Sequence, residues 1–234
     1  MERIVQPELL DELPARDKRA LRSRRDIRRL NRLMGHAGIL AGVLGSPVNR
    51  ASGRRVVELG AGDGHFLLSV ARRLRRSWPA AEATLVDRLD VVEPCLSDGF
   101  GRLGWRLRVE VAEAAEWLRK APSKGDGAMI CNLLLHQIES EPLKELVRLA
   151  APSARVFVAL EPRRAWWPHF CSRFLRLAGC GSVTRHDAPV SVRAGFAGRE
   201  LSEIWPQDGA WELTERRAGI FSHVFVARRR KGTP

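Results

Sequence analysis

Arg55-Val56-Val57-Glu58-Leu59-Gly60-Ala61-Gly62-Asp63-Gly64-His65-Phe66-Leu67-Leu68 is the stretch that decides how this chain is read. A short apolar strand runs into an acid, three alternating glycines follow, and an amphipathic helix start closes the segment. Strand, tight turn and helix in that order present bare backbone to a nucleotide-like cofactor. The glycine spacing narrows the choice. A dinucleotide fingerprint, G-x-G-x-x-G, would need its third glycine at position 65, which is His65; the glycine comes one residue early, at Gly64. A phosphate loop would need Gly-Lys-Ser/Thr after the turn, and none follows. With Glu58 just ahead of it, the turn suits a cofactor whose moiety at the loop is a zwitterionic amino acid rather than a pyrophosphate.

Working outward, 234 residues suffice for one sizeable core and are short for two. A hydrophobic content of 44% is ordinary for a globular protein. Met1-Glu2-Arg3-Ile4-Val5-Gln6-Pro7 holds no secretory stretch, and no run is long enough to cross a bilayer, so the expectation is a cytoplasmic protein. Cys95, Cys131, Cys171 and Cys180 form no C-x-x-C pair and have no histidines at zinc spacing, which argues against a disulfide framework and a structural metal. The net charge of +13 is carried mostly by arginine. It permits a nucleic-acid or other anionic partner, but the arginines run along the whole chain and lack interleaved aromatics in the most basic segment. Solvated helix faces are the preferred reading.

Residues 7–45 read as two or three helices ahead of the sheet. Asp17 or a neighbour caps 19–34, where Leu21, Ile27, Leu30, Leu33 and Met34 recur at helical spacing and arginines fill the other faces. Gly45-Ser46-Pro47 closes this appendage. From Arg54 strands alternate with helices: strands at 54–58, 82–87, 105–111, 127–132 and 154–160, and helices at 64–78, 90–99, 112–120 and 141–150, with Asp90 as the N-cap of the second. This is the signature of an α/β protein with a doubly wound, Rossmann-like parallel sheet. A further helix spans 163–178, with Trp166, Phe170, Phe174 and Leu177 on one face. The runs 211–216 and 221–228 form a hairpin through Arg217-Ala218-Gly219.

In such sheets ligands sit beyond the carboxyl ends of the strands, where the strand order reverses. Polar residues do end consecutive strands. Asp87 closes the second, about 20 residues past the glycine turn, where one carboxylate can accept from both hydroxyls of a ribose. Glu58 closes the first, Glu113 follows the third, and the fourth ends in Asn132-Leu133-Leu134-Leu135-His136-Gln137.

The turn and these strand ends resemble the class I methyltransferases, which bind S-adenosylmethionine through a motif of this form, over roughly residues 50–228. The resemblance implies a seven-stranded sheet with a C-terminal antiparallel pair, preceded by N-terminal helices: residues 1–45 as an appendage or lid, 46–234 as the methyltransferase domain. It implies that Glu58, Gly60, Ala61, Gly62, Gly64, Asp87, Arg88, Glu113, Ala114, Asn132 and Leu133 bind S-adenosyl-L-methionine, with main-chain amides of the loop and Glu58 on the methionine portion and Glu113 on the adenine amine. The family has Asp where this chain has Glu113, so a helix-start carboxylate is the other reading there. Asn132 would lie beside the reactive methyl. His136 reads either as a general base or as a structural residue. In 184–196, His186 next to Asp187 reads as a base with its orienter or, preferably, as part of a loop held by local hydrogen bonds. Arg185 and Arg193 could bind an anionic acceptor. Trp166, Trp167, Phe170 and Phe174 either line the acceptor pocket or, by default, pack in the core.

Arg22-Ser23-Arg24-Arg25-Asp26-Ile27-Arg28-Arg29-Leu30-Asn31 and Arg185-His186-Asp187 further resemble a bacterial subgroup found near polyketide-type biosynthetic genes. This implies O-methylation of a phenolic or polyketide-like small molecule. The alternatives are an RNA or protein methyltransferase using the basic surface, and a non-catalytic cofactor-binding partner protein. A homodimer is compatible with either. No Asn/Asp-Pro-Pro-aromatic clamp follows strand four, which counts against N-methylation of a base.

Overall fold

The computed structural model of this protein describes residues 1–46, 54–120 and 127–230. Pro47 of the expected closing turn lies outside the described residues. Three helices lead: α1 (Leu9–Glu12), α2 (Lys18–Leu33) and α3 (His36–Leu44). The alternation that follows is β1 (Arg55–Leu59), α4 (His65–Leu74), β2 (Ala81–Asp87), α5 (Cys95–Gly101), β3 (Trp105–Val111), α6 (Ala114–Lys120), β4 (Ala128–Asn132), α7 (Ser140–Ser153) and β5 (Val156–Pro162). The chain ends in α8 (Trp166–Ser172), α9 (Ser182–Ala194), α10 (Glu200–Ile204), β6 (Trp211–Ala218) and β7 (Ser222–Arg229).

The strands form one seven-stranded sheet in the order β3-β2-β1-β4-β5-β7-β6. The first five are parallel, and β7 runs antiparallel to both β5 and β6. This is the expected α/β, doubly wound, Rossmann-like sheet with its C-terminal antiparallel pair and preceding helices. Every residue of β4 and β5 is buried, because helices cover both faces of the sheet. On one face Leu67, Val70 and Leu74 of α4 pack with Trp78, and α3 adds the fully buried Leu40 and Leu44 to the same core. On the other face Leu143, Leu146 and Val147 of α7 pack with Leu201 and Trp205, whose ring lies 4.9 Å from that of Phe157. At about 1.5–3 kcal/mol per buried leucine, Leu40 and Leu44 anchor α3 to this core, chiefly against α4.

Four local expectations are corrected. The buried face of α2 is polar, Ser23, Arg24, Asp26 and Asn31 beside Ala20, while Leu21 and Leu33 are exposed. Its apolar periodicity pointed the wrong way because those polar groups find partners elsewhere in the chain. The segment 184–196 is helix α9, not a loop. It carries Pro189 within it and is held by other elements at its start and middle: Asp26 Oδ2 accepts from Gly181 N at 2.7 Å, and the Asp187 carboxylate accepts from Leu9 N and Leu10 N at 2.9 and 3.1 Å. The helix expected over 163–178 stops at Ser172, whose hydroxyl donates back to the His169 carbonyl at 2.7 Å and competes with the helical pattern. Asp90 is no N-cap, since α5 begins only at Cys95, directly after Pro94.

Candidate active site

The order of the strands reverses between β1 and β4, and there a cleft of about 910 Å³ opens over the carboxyl ends of β1, β2, β3 and β4. Glu58, Asp87 and Glu113, each at or just past the end of one of three strands, all line it. So do Gly60, Ala61, Gly62, Arg88, Ala114, Asn132 and Leu133.

The turn between β1 and α4 needs its glycines for different reasons. Gly60, Gly62 and Gly64 have φ of +67°, +54° and +72°, in the left-handed region that L side chains disfavour. A Cβ on Gly60 would stand 2.6 Å from Leu134 Cδ1, and one on Gly64 2.4 Å from Leu85 Cδ1, so these two let neighbouring leucines close in. Gly64 acts beneath the cleft and does not line it. Gly62 has open space on its Cβ side. The loop amides are spent inside the protein: Gly60 and Ala61 donate to the Val86 carbonyl, and Gly62 donates to Asp87 Oδ2 at 2.7 Å. The expected cradle of main-chain amides is therefore corrected. What the loop offers a ligand is room.

Asp87 is held by that bond and by Leu89 N, which donates to Oδ1 at 2.9 Å. Each oxygen keeps a lone pair for a hydroxyl. Glu58 is 1% exposed, and its Oε2 has no hydrogen-bond partner. Burial first, then the charges of Asp63 and Asp87, push its pKa well above the ordinary value. A buried carboxylate with an open acceptor is what a ligand ammonium would satisfy. Glu113 Oε2 accepts from Ala115 N at 2.7 Å and from Glu116 N, so it caps α6 while bordering the cleft. Arg88 pairs with Asp11 at 2.8 Å and so ties α1 to the end of β2.

Asn132 is fixed from two sides, and one of its partners is itself held. Its Oδ1 accepts from His36 Nδ1 at 2.8 Å, its Nδ2 donates to Asn31 Oδ1 at 3.3 Å, and His36 Nε2 accepts from the Ser222 hydroxyl at 2.7 Å. Burial depresses the His36 pKa, so the ring is neutral, as this pattern requires. Next to it Leu133 takes φ +58°, strain of about 1–3 kcal/mol of the kind that collects at functional sites. Sequence reading missed Asn31, His36 and Ser222; the one signal was a polar pair interrupting an otherwise apolar or arginine-rich helical stretch.

His136 lies off the cleft, buried beneath the N-terminal segment. Nδ1 meets Glu161 Oε2 at 2.7 Å and Nε2 meets Glu8 Oε1 at 3.2 Å. Burial alone would depress its pKa, but hydrogen bonds to Glu161 and Glu8 and their charges prevail and raise it to about 9. The ring is thus a doubly bonded imidazolium at neutral pH, which corrects its reading as a general base. Glu161, also missed, further accepts from Leu134 N and Leu135 N. His186 does meet Asp187, at 3.0 Å, but its side chain is 52% exposed and away from the cleft, and Asp187 serves α1. Neither Arg185, Arg193 nor the Trp166–Phe174 aromatics line the cleft. The wall of the cleft opposite α4 is α2 instead, with Arg25, Arg28, Arg29 and Arg32 lining it together with Arg72 and Arg73 of α4. Arg28 reaches Asp63 at 3.3 Å.

The fold that carries this cleft is the methyltransferase fold, in strand order and in its antiparallel last pair. No protein-family model matches the chain, and no curated protein matches it. Among solved structures, the plantazolicin methyltransferase BpumL, solved in complex with a monoazolic desmethylPZN analog and SAH, is similar at TM-score 0.62 and 10% identity over 93% of this chain and 91% of that one. An O-methyltransferase family protein from Burkholderia thailandensis is similar at TM-score 0.56 and 16% identity over 86% of this chain, which spans only 58% of that protein. The mitomycin 7-O-methyltransferase MmcR is similar at TM-score 0.52 and 15% identity, over 84% of this chain and 54% of that one.

Proposed function

We propose that this protein is an S-adenosylmethionine-dependent methyltransferase that methylates an acidic hydroxyl, phenolic or polyketide-like, on a small molecule. The observation that carries the reading is the convergence of Glu58, Asp87 and Glu113 on one cleft at the glycine turn. Asp87 would hold the ribose hydroxyls, Glu58 the ammonium and Glu113 the adenine amine, with Ala61, Gly62, Arg88, Ala114 and Leu133 along the ligand and Asn132 beside the reacting carbon. The cofactor, when bound, supplies a methyl group on a sulfonium, a strong electrophile.

The chain's own part in the reaction is placement and charge. His136, off the cleft and already protonated, does not take the hydroxyl proton, whereas His65 lines the cleft and burial holds its pKa down, so a neutral imidazole is there to accept it while the arginines of α2 and α4 stabilise the oxyanion. The same arginines favour an acceptor carrying negative charge. They also support the second reading, an RNA methyltransferase, in which binding to RNA would fall steeply with salt.

Calorimetry with S-adenosylhomocysteine tests the first step. Binding by the wild type, weakened about tenfold or more in Asp87→Ala, is the expected result, since two hydroxyl bonds to a carboxylate are lost. Absence of binding by the folded wild type overturns the proposal.

A further inference from the structure

The aromatic stripe that leaves the core is the least explained part of the surface. Trp166 is 62% exposed, Trp167 58% and Leu177 86%, with Phe170 and Phe174 nearly as open. Their rings pack on one another, Trp166 on Phe170 at 5.6 Å and Phe170 on Phe174 at 5.0 Å, so they form one continuous apolar ridge. The β6–β7 turn extends it: Arg163 N donates to the Phe221 carbonyl at 2.8 Å, which sets the exposed Ile220 and Phe221 beside the start of α8. Contiguous exposed apolar surface of this kind marks a docking site.

Charge names the occupant. Between Glu161 and Asp187 the chain has five arginines and no acid. Arg173 and Arg176 are exposed within the ridge. From α2, Arg22 and Arg29 donate to the Gly179 and Ala178 carbonyls at the far end of the ridge. A second copy of the chain, itself +13, would bring like charge against this rim. The rings project outward instead of lining the cleft. Tryptophan and phenylalanine on a short helix, rimmed by arginine, suit the headgroup layer of an anionic bilayer, where the rings sit at the polar boundary and the guanidinium groups meet lipid phosphates. No helix among the described residues is long and apolar enough to cross that bilayer.

We propose that residues 163–179, together with Ile220 and Phe221, form a docking surface for an anionic lipid membrane, which the protein enters to headgroup depth. Arg29 belongs both to this rim and to the lining of the cleft, so the surface adjoins the cleft mouth. The inference rests on exposure and charge alone and stands apart from the proposed reaction.

Flotation of the full chain with phosphatidylcholine vesicles, with and without phosphatidylglycerol, tests it. The wild type should float with the mixed vesicles, far less with phosphatidylcholine alone, and less at high salt. Trp166→Ser with Trp167→Ser should cut the partition about tenfold or more. Arg173→Glu with Arg176→Glu should do the same and remove the preference for phosphatidylglycerol. All four side chains are exposed, and an unchanged circular dichroism melt confirms folding. Brominated lipid gives a readout with both docking tryptophans intact: in a Trp117→Phe background, which removes the half-buried Trp117, the remaining Trp78, Trp105, Trp205 and Trp211 are buried, so strong quenching reports Trp166 and Trp167. No partition of the wild type, wild-type partition by both variants, or loss of a dimer by the tryptophan variant without any vesicle binding would each overturn the proposal.

Discussion

Single positions in the cleft separate folding from binding. Gly64→Ala forces a Cβ onto Leu85 and Leu96 at positive φ, so the expected loss of stability is about 1–3 kcal/mol in denaturant titration. Gly62→Ala meets no atom and should cost the fold only about 1 kcal/mol, while its methyl intrudes on the ligand's space and lowers S-adenosylhomocysteine affinity about tenfold. Equal effects of the two on stability would contradict the division of labour. Glu58 behaves in the opposite sense. Its folded pKa lies above the unfolded one, so what it contributes to stability is complete below 4.5 and is lost as pH rises through the elevated folded value. Glu58→Gln should therefore raise stability at pH 7, yet weaken S-adenosylhomocysteine binding about tenfold. Chemical unfolding and calorimetry on the same sample would tell.

At the scale of elements, the N-terminal segment is strapped down by ions. Arg3 donates to the carbonyls of Ala194, Leu135, His136 and Ile138, Arg164 donates to the Met1 carbonyl and pairs with Glu200, and Glu8 binds His136, Gln137 and Ser191. His136 titrates at about 9 when folded against 6.5, so its contribution is complete below 6.5 and disappears as pH climbs through 9. The expected result is a melting temperature that falls between pH 6.5 and 9, by on the order of 3 kcal/mol in stability, with a flattened profile in His136→Gln. Asp187→Ala, which strips the Leu9 and Leu10 amides of α1 of their carboxylate acceptor, should cost about 1 kcal/mol and expose residues near 9–12 to protease, read by N-terminal sequencing of the fragments.

The same elements explain what could be read beforehand. β1, β2 and β4 announce themselves because an apolar run and its terminal polar residue are local signals, and Glu58, Asp87 and Asn132 follow from them. The supports do not, because Asn31, His36 and Glu8 meet partners from 96 to 186 residues away, so nothing nearby in the chain marks a polar side chain on α2 or α3 as buried. Likewise the 163–178 stripe has a helical spacing that a core face and a docking face share; only the finished packing distinguishes them.

For the molecule as a whole, the charge of +13 is not evenly idle. Part of it is concentrated on two facing helices across one cleft, which should draw anionic acceptors and repel cationic ones. Arg28→Ala with Arg32→Ala should raise the acceptor KM about tenfold with little change in kcat, and added salt should raise the wild-type KM in parallel. A salt-independent KM would assign those arginines to solubility alone.

The way α2 is seated has a consequence for redesign. Asp26 accepts from Gly181 N and Thr184 Oγ1, and Thr184 Oγ1 in turn accepts from the Ser23 hydroxyl, so the helix that forms one cleft wall is welded to a segment some 155 residues later in the chain. Residues 1–34 and 163–196 thus support each other, while Arg3, Glu8 and Asn31 also tie the first of them to residues 132–138. A chimera that exchanges this cleft wall for that of another protein of the same fold has to move both pieces at once, since either piece alone would arrive without the surface it was cut to fit.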